Sequence, residues 1–282
     1  MVTTLHCGRY RLSLERPLIM GIVNVTPDSF SDGGAFLDPA AAIAHAHRLV
    51  EEGADILDIG GESTRPGAVA VPVEQELARV LPVLRGLRDI DVPISVDTVK
   101  PEVMSAALAE GASIINDITA LGARGAMDIV AASDAAVCLM HMQGEPRTMQ
   151  INPQYQDVVT EVRDFLAERV GAVIAHGIPR ERVIVDPGYG FGKTLEHNLT
   201  LLRNQERLLE LGVPVLAGWS RKSSLGLITG RPTNDRLAAS IAAAVLAVQH
   251  GARIVRVHDV AATRDALAVL QAVEGERPAG TA

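Results

Sequence analysis

Short apolar runs alternate with longer amphipathic segments along most of the chain. The apolar runs are rich in aliphatic and β-branched residues, as buried strands are. They are residues 18–25, 54–61, 93–98, 113–119, 136–142, 182–188, 214–220 and 253–260. Segments with helical spacing lie between most of them; in 156–176, for example, Val158, Val162 and Leu166 fall on one face. This alternation predicts an α/β fold with a parallel sheet.

The ends of the predicted helices carry recognisable signals. Asp38 followed by Pro39 is typical of a helix start, because Asp caps the first free N–H groups and Pro suits the first turn. A glycine ends five helical segments, just before the next strand or its lead-in, where left-handed backbone is required. These glycines are Gly53, Gly111, Gly177, Gly212 and Gly251. Eight strand–helix units in one chain predict a (β/α)8 TIM barrel.

An open, doubly wound sheet is the alternative architecture. It would usually need a glycine-rich turn after the first strand, and residues 24–30 are not such a turn. Residues 1–16 alternate like a β-hairpin, which we expect to cap the bottom of the barrel. Residues 275–282 are expected to form a disordered tail. No shift in composition marks a linker, so we predict a single domain over residues 1–282.

Composition and charge narrow the class of protein. The net charge of −8 argues against a nucleic-acid partner, because phosphate binding needs a basic face. The first ten residues lack the apolar stretch of a signal peptide, and the most apolar window, 237–248, is too short to span a bilayer. Cys7 and Cys138 are too far apart in the sequence for a redox or zinc motif, which suggests a reducing compartment. We therefore expect a soluble, cytoplasmic protein that binds no membrane.

Polar side chains follow directly after the predicted strands. They are Asn24, Glu62, Ser63, Thr64, Arg65, Asp97, Asn116, His141, Asp186, Ser220, Arg221, Lys222, Arg256 and His258. Loops are polar in general, but this does not explain why the turns near 97, 116 and 186 each bring a carboxylate or amide straight out of an apolar run. In a (β/α)8 barrel the carboxyl ends of the strands carry the active site. We therefore predict that these side chains share one pocket.

The polar groups fall into two chemical sets. Asp97, Asn116 and Asp186 are rich in acceptors and would suit a small heterocycle with several N–H donors. The donor set suits a phosphate or pyrophosphate and comprises Arg65, Lys222, Arg256 and His258. Two carboxylates in one pocket repel each other unless a cation or a donor-rich ligand lies between them, and we expect Lys222 to be that internal cation.

Other interpretations of single residues stay open at this point. Asp97 and Asp186 could instead pair with basic side chains only to tie loops together. His141 could line the pocket or pack against it. The segment 188–194 looks like a phosphate-binding Walker A loop, but only three residues separate Gly188 from Gly192, where the motif needs four. Hydrolysis of a nucleoside triphosphate is therefore not predicted.

Seven motifs, taken in order, resemble the motif set of bacterial dihydropteroate synthase. They are NVTPDSFSDGG (24–34), GGESTRPGA (60–68), SVDT (95–98), IND (115–117), DPGYGFGKT (186–194), GWSRKS (218–223) and RVHDV (256–260). They run from the first predicted barrel strand to the last, so the resemblance covers essentially the whole chain. It implies a TIM-barrel transferase of folate biosynthesis, which joins a dihydropterin pyrophosphate to p-aminobenzoate and releases pyrophosphate. Family members are typically homodimers and targets of sulfonamides.

The resemblance also implies binding roles for individual residues. The pterin would be bound by Thr64, Asp97, Asn116, Asp186, Lys222 and Arg256. Asn24 would help to hold Mg²⁺, with the pyrophosphate on Arg65, Arg256 and His258. The p-aminobenzoate would be met by Phe30, Thr64, Pro66, Phe191, Ser220 and Lys222. On this view Arg256→Ala and His258→Ala should weaken pyrophosphate binding and leave the thermal midpoint of the ligand-free protein nearly unchanged.

The implied reaction begins with departure of pyrophosphate to leave a pterin-methyl cation, which the arylamine then attacks. The residues implied in catalysis are Asp28, Asp97, Asp186, Lys222 and Arg256. Two alternatives remain. One is a pterin-binding barrel without this activity, either a folate-dependent methyl transfer domain or an inactive paralogue. The other is an aldolase-like barrel in which Lys222 forms a Schiff base.

Overall fold

Eight parallel strands surround the centre of the molecule in the computed structural model, which describes residues 2–26, 38–64 and 67–275. The strands are β3 (Leu18–Asn24), β4 (Ile56–Gly60), β5 (Ile94–Asp97), β6 (Ile114–Asp117), β7 (Ala136–Met140), β8 (Val183–Asp186), β9 (Leu216–Ala217) and β10 (Ile254–Val257). Strands β3 to β8 pair in chain order, and β10 pairs with both β3 and β9. A bridge between Val185 and Val215 joins the two end strands. The predicted TIM barrel is therefore confirmed.

Helices connect the strands and form the outer layer. They are α1 (Pro39–Glu51), α2 (Val73–Gly86), α3 (Pro101–Ala109), α4 (Ala126–Ala131), α5 (Val158–Ala175), α6 (Leu195–Arg203), α7 (Ser223–Thr229), α8 (Leu237–Gln249) and α9 (Val260–Glu274). The Asp38 carboxylate accepts a hydrogen bond from the Ala40 amide, as an N-cap should. All five predicted cap glycines have positive φ, for example 97° at Gly53. Within the described residues, no helix is long and apolar enough to cross a membrane.

The N-terminal hairpin closes the bottom of the barrel. It consists of β1 (Thr4–Cys7) and β2 (Tyr10–Ser13), which pair in antiparallel fashion. Leu5 and Cys7 are fully buried in one apolar cluster with side chains from the barrel interior, including Met20 and Ile56. Because this end of the barrel interior is filled with apolar side chains, the polar part of the interior lies toward the carboxyl ends of the strands. The predicted N-terminal hairpin at the bottom of the barrel is therefore confirmed, with its paired strands between Thr4 and Ser13.

Alternation along the strands determines which residues face the barrel interior. Ile56, Ile114 and Ile254 belong to the interior cluster at the bottom. Because side chains on a strand alternate between its two faces, the residues two positions further on face inward as well. These are Asp58, Asn116 and Arg256. The strand register also aligns Asn24 with Gly60, Gly60 with Asp97, and Asp97 with Asn116. The interior thus changes from apolar at the bottom to polar at the top.

Four predicted site residues lie outside the described ranges. They are Asp28, Phe30, Arg65 and Pro66. Most of the expected tail, from residue 276 onward, lies outside them too. The roles assigned to these four side chains stay predictions.

Candidate active site

An arginine from the last strand links two acidic side chains across the barrel interior. The Arg256 Nε lies 2.6 Å from Asp58 Oδ2, and its Nη2 lies 3.1 Å from Asp97 Oδ2. Asn116 Nδ2 donates to the same Asp58 oxygen at 3.3 Å. Three of the predicted site residues, Asp97, Asn116 and Arg256, are therefore brought together around a fourth polar group.

That fourth group, Asp58, was missed by the sequence analysis. Its side chain is 0% exposed, and Oδ1 has no hydrogen-bond partner among the described residues. A buried carboxylate is costly unless it is paired, and Arg256 provides the pairing charge. The available signal was an aspartate in the middle of the apolar run 54–61, at the inward-facing position between Ile56 and Gly60. An aspartate is rarely fully buried unless it is paired, so this position predicted a partner for Asp58 in the barrel interior.

Burial and neighbouring charges shift the pKa values of the groups in this pocket. Burial raises the pKa of Asp97 to about 7, against the opposing charge of Arg256. Burial works against protonation of Arg256, but Asp58 and Asp97 outweigh it and raise the pKa of that guanidinium. Burial also raises the pKa of Asp186, with the charge of Lys222 opposing the rise. Asp97 therefore changes charge near neutral pH, whereas Arg256 stays positive.

Lys222 has different partners from those expected. Its ammonium donates to the Tyr189 carbonyl and lies 4.6 Å from the centroid of the Phe191 ring. Asp97 is paired with Arg256 instead, so the prediction of Lys222 as internal partner of both carboxylates is wrong for Asp97. Toward Asp186, Lys222 acts through its charge. Burial lowers the pKa of Lys222 to about 8, although the charge of Asp186 works against this.

Two glycines leave space between the charged groups. A side-chain carbon on Gly218 would lie 3.8 Å from Lys222 Nζ and 3.9 Å from Arg256 Cβ. A carbon on Gly60 would lie 3.7 Å from both Asn24 Oδ1 and Asp97 Cβ. Each of these positions therefore has room for one further carbon in ordinary van der Waals contact, beside the acceptor set and the two cations. Asp186, the last residue of β8, accepts a hydrogen bond from the Gly188 amide at 2.7 Å through its Oδ1.

Two residues assigned to different substrates contact each other just beyond the ends of β9 and β10. The Ser220 hydroxyl lies 3.0 Å from His258 Nδ1 and accepts from the His258 amide at 3.2 Å. Ser220 is buried and His258 is partly exposed, so the pair connects the interior to the rim. Thr64 and Asn24 are also partly exposed, on the segment after β4 and at the end of β3.

His141 packs beside the pocket. Its ring makes an edge contact with Phe165 at 5.0 Å between centroids, and Lys193 Nζ lies 2.9 Å from its Nδ1. Burial lowers the pKa of His141 to about 3, and the charge of Lys193 contributes. Lys193 itself is buried and donates to the carbonyls of Gly188 and Phe191 at 3.1 and 3.0 Å. The lysine of the Walker-like segment therefore stabilises the loop that carries Phe191.

Comparison with known proteins agrees with this geometry. A family profile described as "Pterin binding enzyme" matches residues 20–258. The dihydropteroate synthase of Neisseria meningitidis serogroup B is 54% identical over 275 residues, which cover 95% of this chain and 96% of the relative.

Solved structures show the same similarity in three dimensions. The Xanthomonas albilineans dihydropteroate synthase with 4-aminobenzoic acid superposes with a TM-score of 0.92 at 56% identity, covering 97% of this chain and 99% of that one. The Burkholderia cenocepacia enzyme complexed with 7,8-dihydropteroate has a TM-score of 0.88 at 50% identity and covers 97% of each chain. With a family profile that spans the barrel and a relative 54% identical across nearly its whole length, this chain belongs to the dihydropteroate synthase family of pterin-binding enzymes.

Proposed function

We propose that this chain joins 6-hydroxymethyl-7,8-dihydropterin pyrophosphate to p-aminobenzoate, giving 7,8-dihydropteroate and pyrophosphate. The observation that carries the proposal is the Asp58–Arg256–Asp97 ion-pair network beside the glycine-bordered space at the carboxyl ends of the strands. This network places acceptors and a cation together in a site where a flat heterocycle can be bound. Family membership supports the same activity.

The acceptors in the pocket match the donor edge of a pterin. Asn116 uses its Nδ2 to bond Asp58, which leaves its amide oxygen for a ligand N–H. Asp186 uses Oδ1 for the Gly188 amide, which leaves Oδ2 for the ligand. Hydrogen bonds from N–H groups to carboxylates are among the strongest in proteins. A ring with adjacent amino and ring N–H donors therefore suits this pocket better than an acceptor-rich ring does.

The residues near the rim suit the second substrate and the leaving group. Phe191 supplies an apolar ring directly beneath the Lys222 ammonium, where an aromatic acid can pack. Ser220 and His258 form a hydrogen-bonded pair that can donate to an anion. Phe30, Arg65 and Pro66 retain the roles that the resemblance implies.

The chemistry balances without a dedicated base. The bond between the pterin methylene carbon and the pyrophosphate oxygen breaks, and its electron pair leaves with pyrophosphate. Arg256 and His258 stabilise that anion, while Asp97 and Asp186 stabilise the positive charge left on the ring. The arylamine nitrogen then bonds to the methylene carbon and loses its proton to solvent, since an anilinium is acidic. Asp28 retains its predicted role in stabilising the cation.

Mg²⁺ is proposed as the cofactor of the pyrophosphate. Asn24 offers one amide oxygen, and the absent side chain at Gly60 leaves space beside it. Within 2–26, 38–64 and 67–275 no group of three or more His, Cys, Asp or Glu side chains could hold a metal. A single amide oxygen, from Asn24, fits Mg²⁺, because this ion keeps several waters and binds largely through substrate phosphates. When bound, the ion would neutralise charge on the leaving group.

A homodimer is also proposed, formed through α7 and α8. Leu227 and Ile228 on α7 are 70% and 52% exposed, and Leu237 and Leu246 on α8 are about half exposed. Residues Leu237–Gln249 are apolar on nearly all sides, and such a helix is normally covered on all sides. Sedimentation should show a dimer that Leu227→Glu with Ile228→Glu converts to a monomer of unchanged circular dichroism.

A cytoplasmic location is proposed as well, and the two free, buried thiols Cys7 and Cys138 support it.

The function is tested by following both products. Wild-type protein with Mg²⁺ and both substrates should release pyrophosphate and form dihydropteroate, and removal of the ion by a chelator should slow the reaction. Release of pyrophosphate without p-aminobenzoate would indicate that ionisation comes first. Borohydride treatment with carbonyl substrates separates the aldolase-like alternative, because only a Schiff base would leave an adduct on Lys222.

Pterin binding is expected to be strongest between about pH 7 and 8. Asp97 accepts best when ionised, and its pKa is about 7, so affinity should rise with pH through that value. Lys222, with a pKa of about 8, then loses the charge that offsets Asp186, so affinity should fall at higher pH. Calorimetric titration of a pterin without pyrophosphate checks this. In the Asp97→Asn variant, the rise of pterin affinity with pH through the pKa of Asp97 should be absent. An identical rise in the variant would show that Asp97 is not the group that titrates.

Gly218→Val should reduce pterin affinity by at least about tenfold without unfolding the protein. The added carbon meets its neighbours at ordinary van der Waals distances, and Gly218 does not have positive φ, so the backbone accepts a side chain. The larger side chain instead fills the space between Lys222 and Arg256. Gly171→Val, where the added carbon meets nothing within 4 Å, is the matched control. Equal pterin affinities for the two variants would place the ligand elsewhere.

A further inference from the structure

Three charged side chains, one fully buried and two partly buried, form a cluster at the base of the segment that follows β4. The ammonium of Lys100 donates to the carboxylates of both Glu62 and Glu76. Glu76 lies on α2 and its side chain is 0% exposed, whereas Lys100 precedes α3 and Glu62 follows β4. We call Glu62, Glu76 and Lys100 the loop-base cluster. It lies outside the set of side chains that the reaction uses.

Glu62 connects both ends of the segment 62–71. Its Oε2 accepts from Lys100, and its Oε1 accepts from the Val71 backbone amide at 3.0 Å. One carboxylate therefore joins the first residue of the segment to the last. Thr64 lies only two positions after Glu62. The position of Glu62 therefore constrains the position of Thr64.

Gly61, the residue just before this segment, is packed tightly on α2. Arg79 donates to the Gly61 carbonyl at 2.7 Å. A side-chain carbon on Gly61 would lie only 2.7 Å from Val80 and 3.0 Å from Glu76. The cluster and α2 thus hold residues 61 and 62 from two sides.

The charge balance of the cluster indicates a role other than stability. Two carboxylates face one ammonium, and the Glu76 Oε1 has no hydrogen-bond partner among the described residues. Buried ion pairs of this kind seldom stabilise a protein more than apolar side chains of the same size would. They do hold their members in one geometry, because leaving either charge unpaired is costly. Burial opposes protonation of Lys100, but Glu62 and Glu76 outweigh it and raise its pKa, so the ammonium persists.

We propose that Glu62, held by Lys100 and Glu76, is a positioning residue for p-aminobenzoate. It acts through the segment it closes, by determining where Thr64 lies above the pocket, and it does not touch the reacting atoms. The inference rests on the proposed function and goes beyond it. The pterin contacts Asp97, Asn116 and Asp186 lie on strand ends, whereas the side-chain hydrogen bonds of the loop-base cluster join its members to one another and to Val71. The two substrates should therefore respond differently when the cluster is broken.

The test is a comparison of the two Michaelis constants in full-length variants. Glu62→Ala should raise KM for p-aminobenzoate about tenfold, equivalent to about 1.4 kcal/mol, and change KM for the pterin pyrophosphate by less than about twofold. Lys100→Met should act in the same direction. Glu62→Gln can accept from only one of Val71 and Lys100, because its amino group replaces the second oxygen, so it should restore only part of the affinity that Glu62→Ala loses. Glu74 is an exposed residue of α2, the helix that carries Glu76. Glu74→Ala is the matched control and should change neither Michaelis constant.

Several outcomes would overturn the inference. A lower thermal midpoint for Glu62→Ala with both KM values unchanged would show a structural role only, and an equal rise in both constants would show general damage to the pocket. Should Glu62→Ala not fold, Glu62→Asp, which is too short to reach both partners, allows the same comparison. A wild-type chain that forms no dihydropteroate would overturn the proposed function itself. An active wild type with no shift in the Glu62 variants would overturn only the positioning role.

Discussion

Arg256→Ala is expected to destabilise the ligand-free protein by about 3–5 kcal/mol at pH 8, measured by urea unfolding. Removal of the guanidinium leaves the carboxylates of Asp58 and Asp97 buried without their cation, and Asp58 is 0% exposed. This differs from the expectation drawn from the sequence, which made Arg256 a ligand-binding residue whose loss would leave the thermal midpoint nearly unchanged. Pterin affinity should fall as well, because the same side chain borders the pocket.

The loss of stability should depend on pH. The folded-state pKa of Asp97, about 7, lies above its ordinary value of 3.8, so protonation favours the folded state. This contribution is fully present below about pH 3.8 and is lost as the pH rises through about 7. Because Arg256 holds that pKa down, its removal should raise it further and make the variant relatively more stable at pH 6 than at pH 8. If Arg256→Ala lowers the free energy of unfolding by the same amount at pH 6 and at pH 8, Arg256 does not hold down the pKa of Asp97.

Two further variants separate the ion pair from the loss of a long side chain. Arg253→Ala, near the start of the same strand, removes an arginine whose bond to the Glu15 carbonyl is long, at 3.5 Å, and should cost little. Adding Asp58→Asn to Arg256→Ala removes one of the buried unpaired charges and should recover part of the stability. No recovery in the double variant would mean that packing of the arginine matters more than its charge.

Asp186→Asn is expected to weaken pterin binding about 10- to 100-fold with little change in fold. The Gly188 amide donates to Asp186 Oδ1, so an asparagine here must keep its oxygen on that side. Its amino group then faces the ligand, and a donor meets the donor edge of the pterin where a carboxylate had accepted a hydrogen bond. Calorimetry with the pterin and with p-aminobenzoate measured separately should show the loss in the pterin titration.

The control for this substitution is a buried aspartate at the end of β6. Asp117 accepts from the amides of Thr119 and Leu121 at 2.7 and 2.9 Å, so its carboxylate is used within the protein. Asp117→Asn should lower stability and leave pterin affinity unchanged. Equal losses of pterin affinity in both variants would remove Asp186 from the binding site.

Much of the architecture could be predicted because its causes are local. The apolar runs, Asp38 with Pro39, and the five cap glycines specify strands and helix ends from residues a few positions apart. The polar residues at the strand ends could be found for the same reason, since Asp97, Asn116 and Asp186 each follow an apolar run directly. The parallel topology then brings those ends to one face of the barrel.

The partners of these residues could not be predicted, because they come from distant parts of the chain. Arg256 and Asp58 are 198 positions apart, and nothing in the periodicity of either strand indicates which side chain lies across the barrel. For the same reason the sequence pointed to Lys222 as the partner of Asp97, and it left the choice between lining and packing open for His141. The loop-base cluster was missed as well, since Glu62, Glu76 and Lys100 lie on three separate segments.

The sequence by itself therefore determined the barrel, the face that carries the site and most of the chemical groups in it. Alternation of inward and outward side chains, and the end of each apolar run, depend only on neighbours in the chain. The tertiary structure decided which charge pairs with which, and through that pairing the pKa of Asp97 and the orientation of the Asn116 amide. These properties depend on distance and burial in three dimensions, which arise only when strands far apart in sequence close into a barrel.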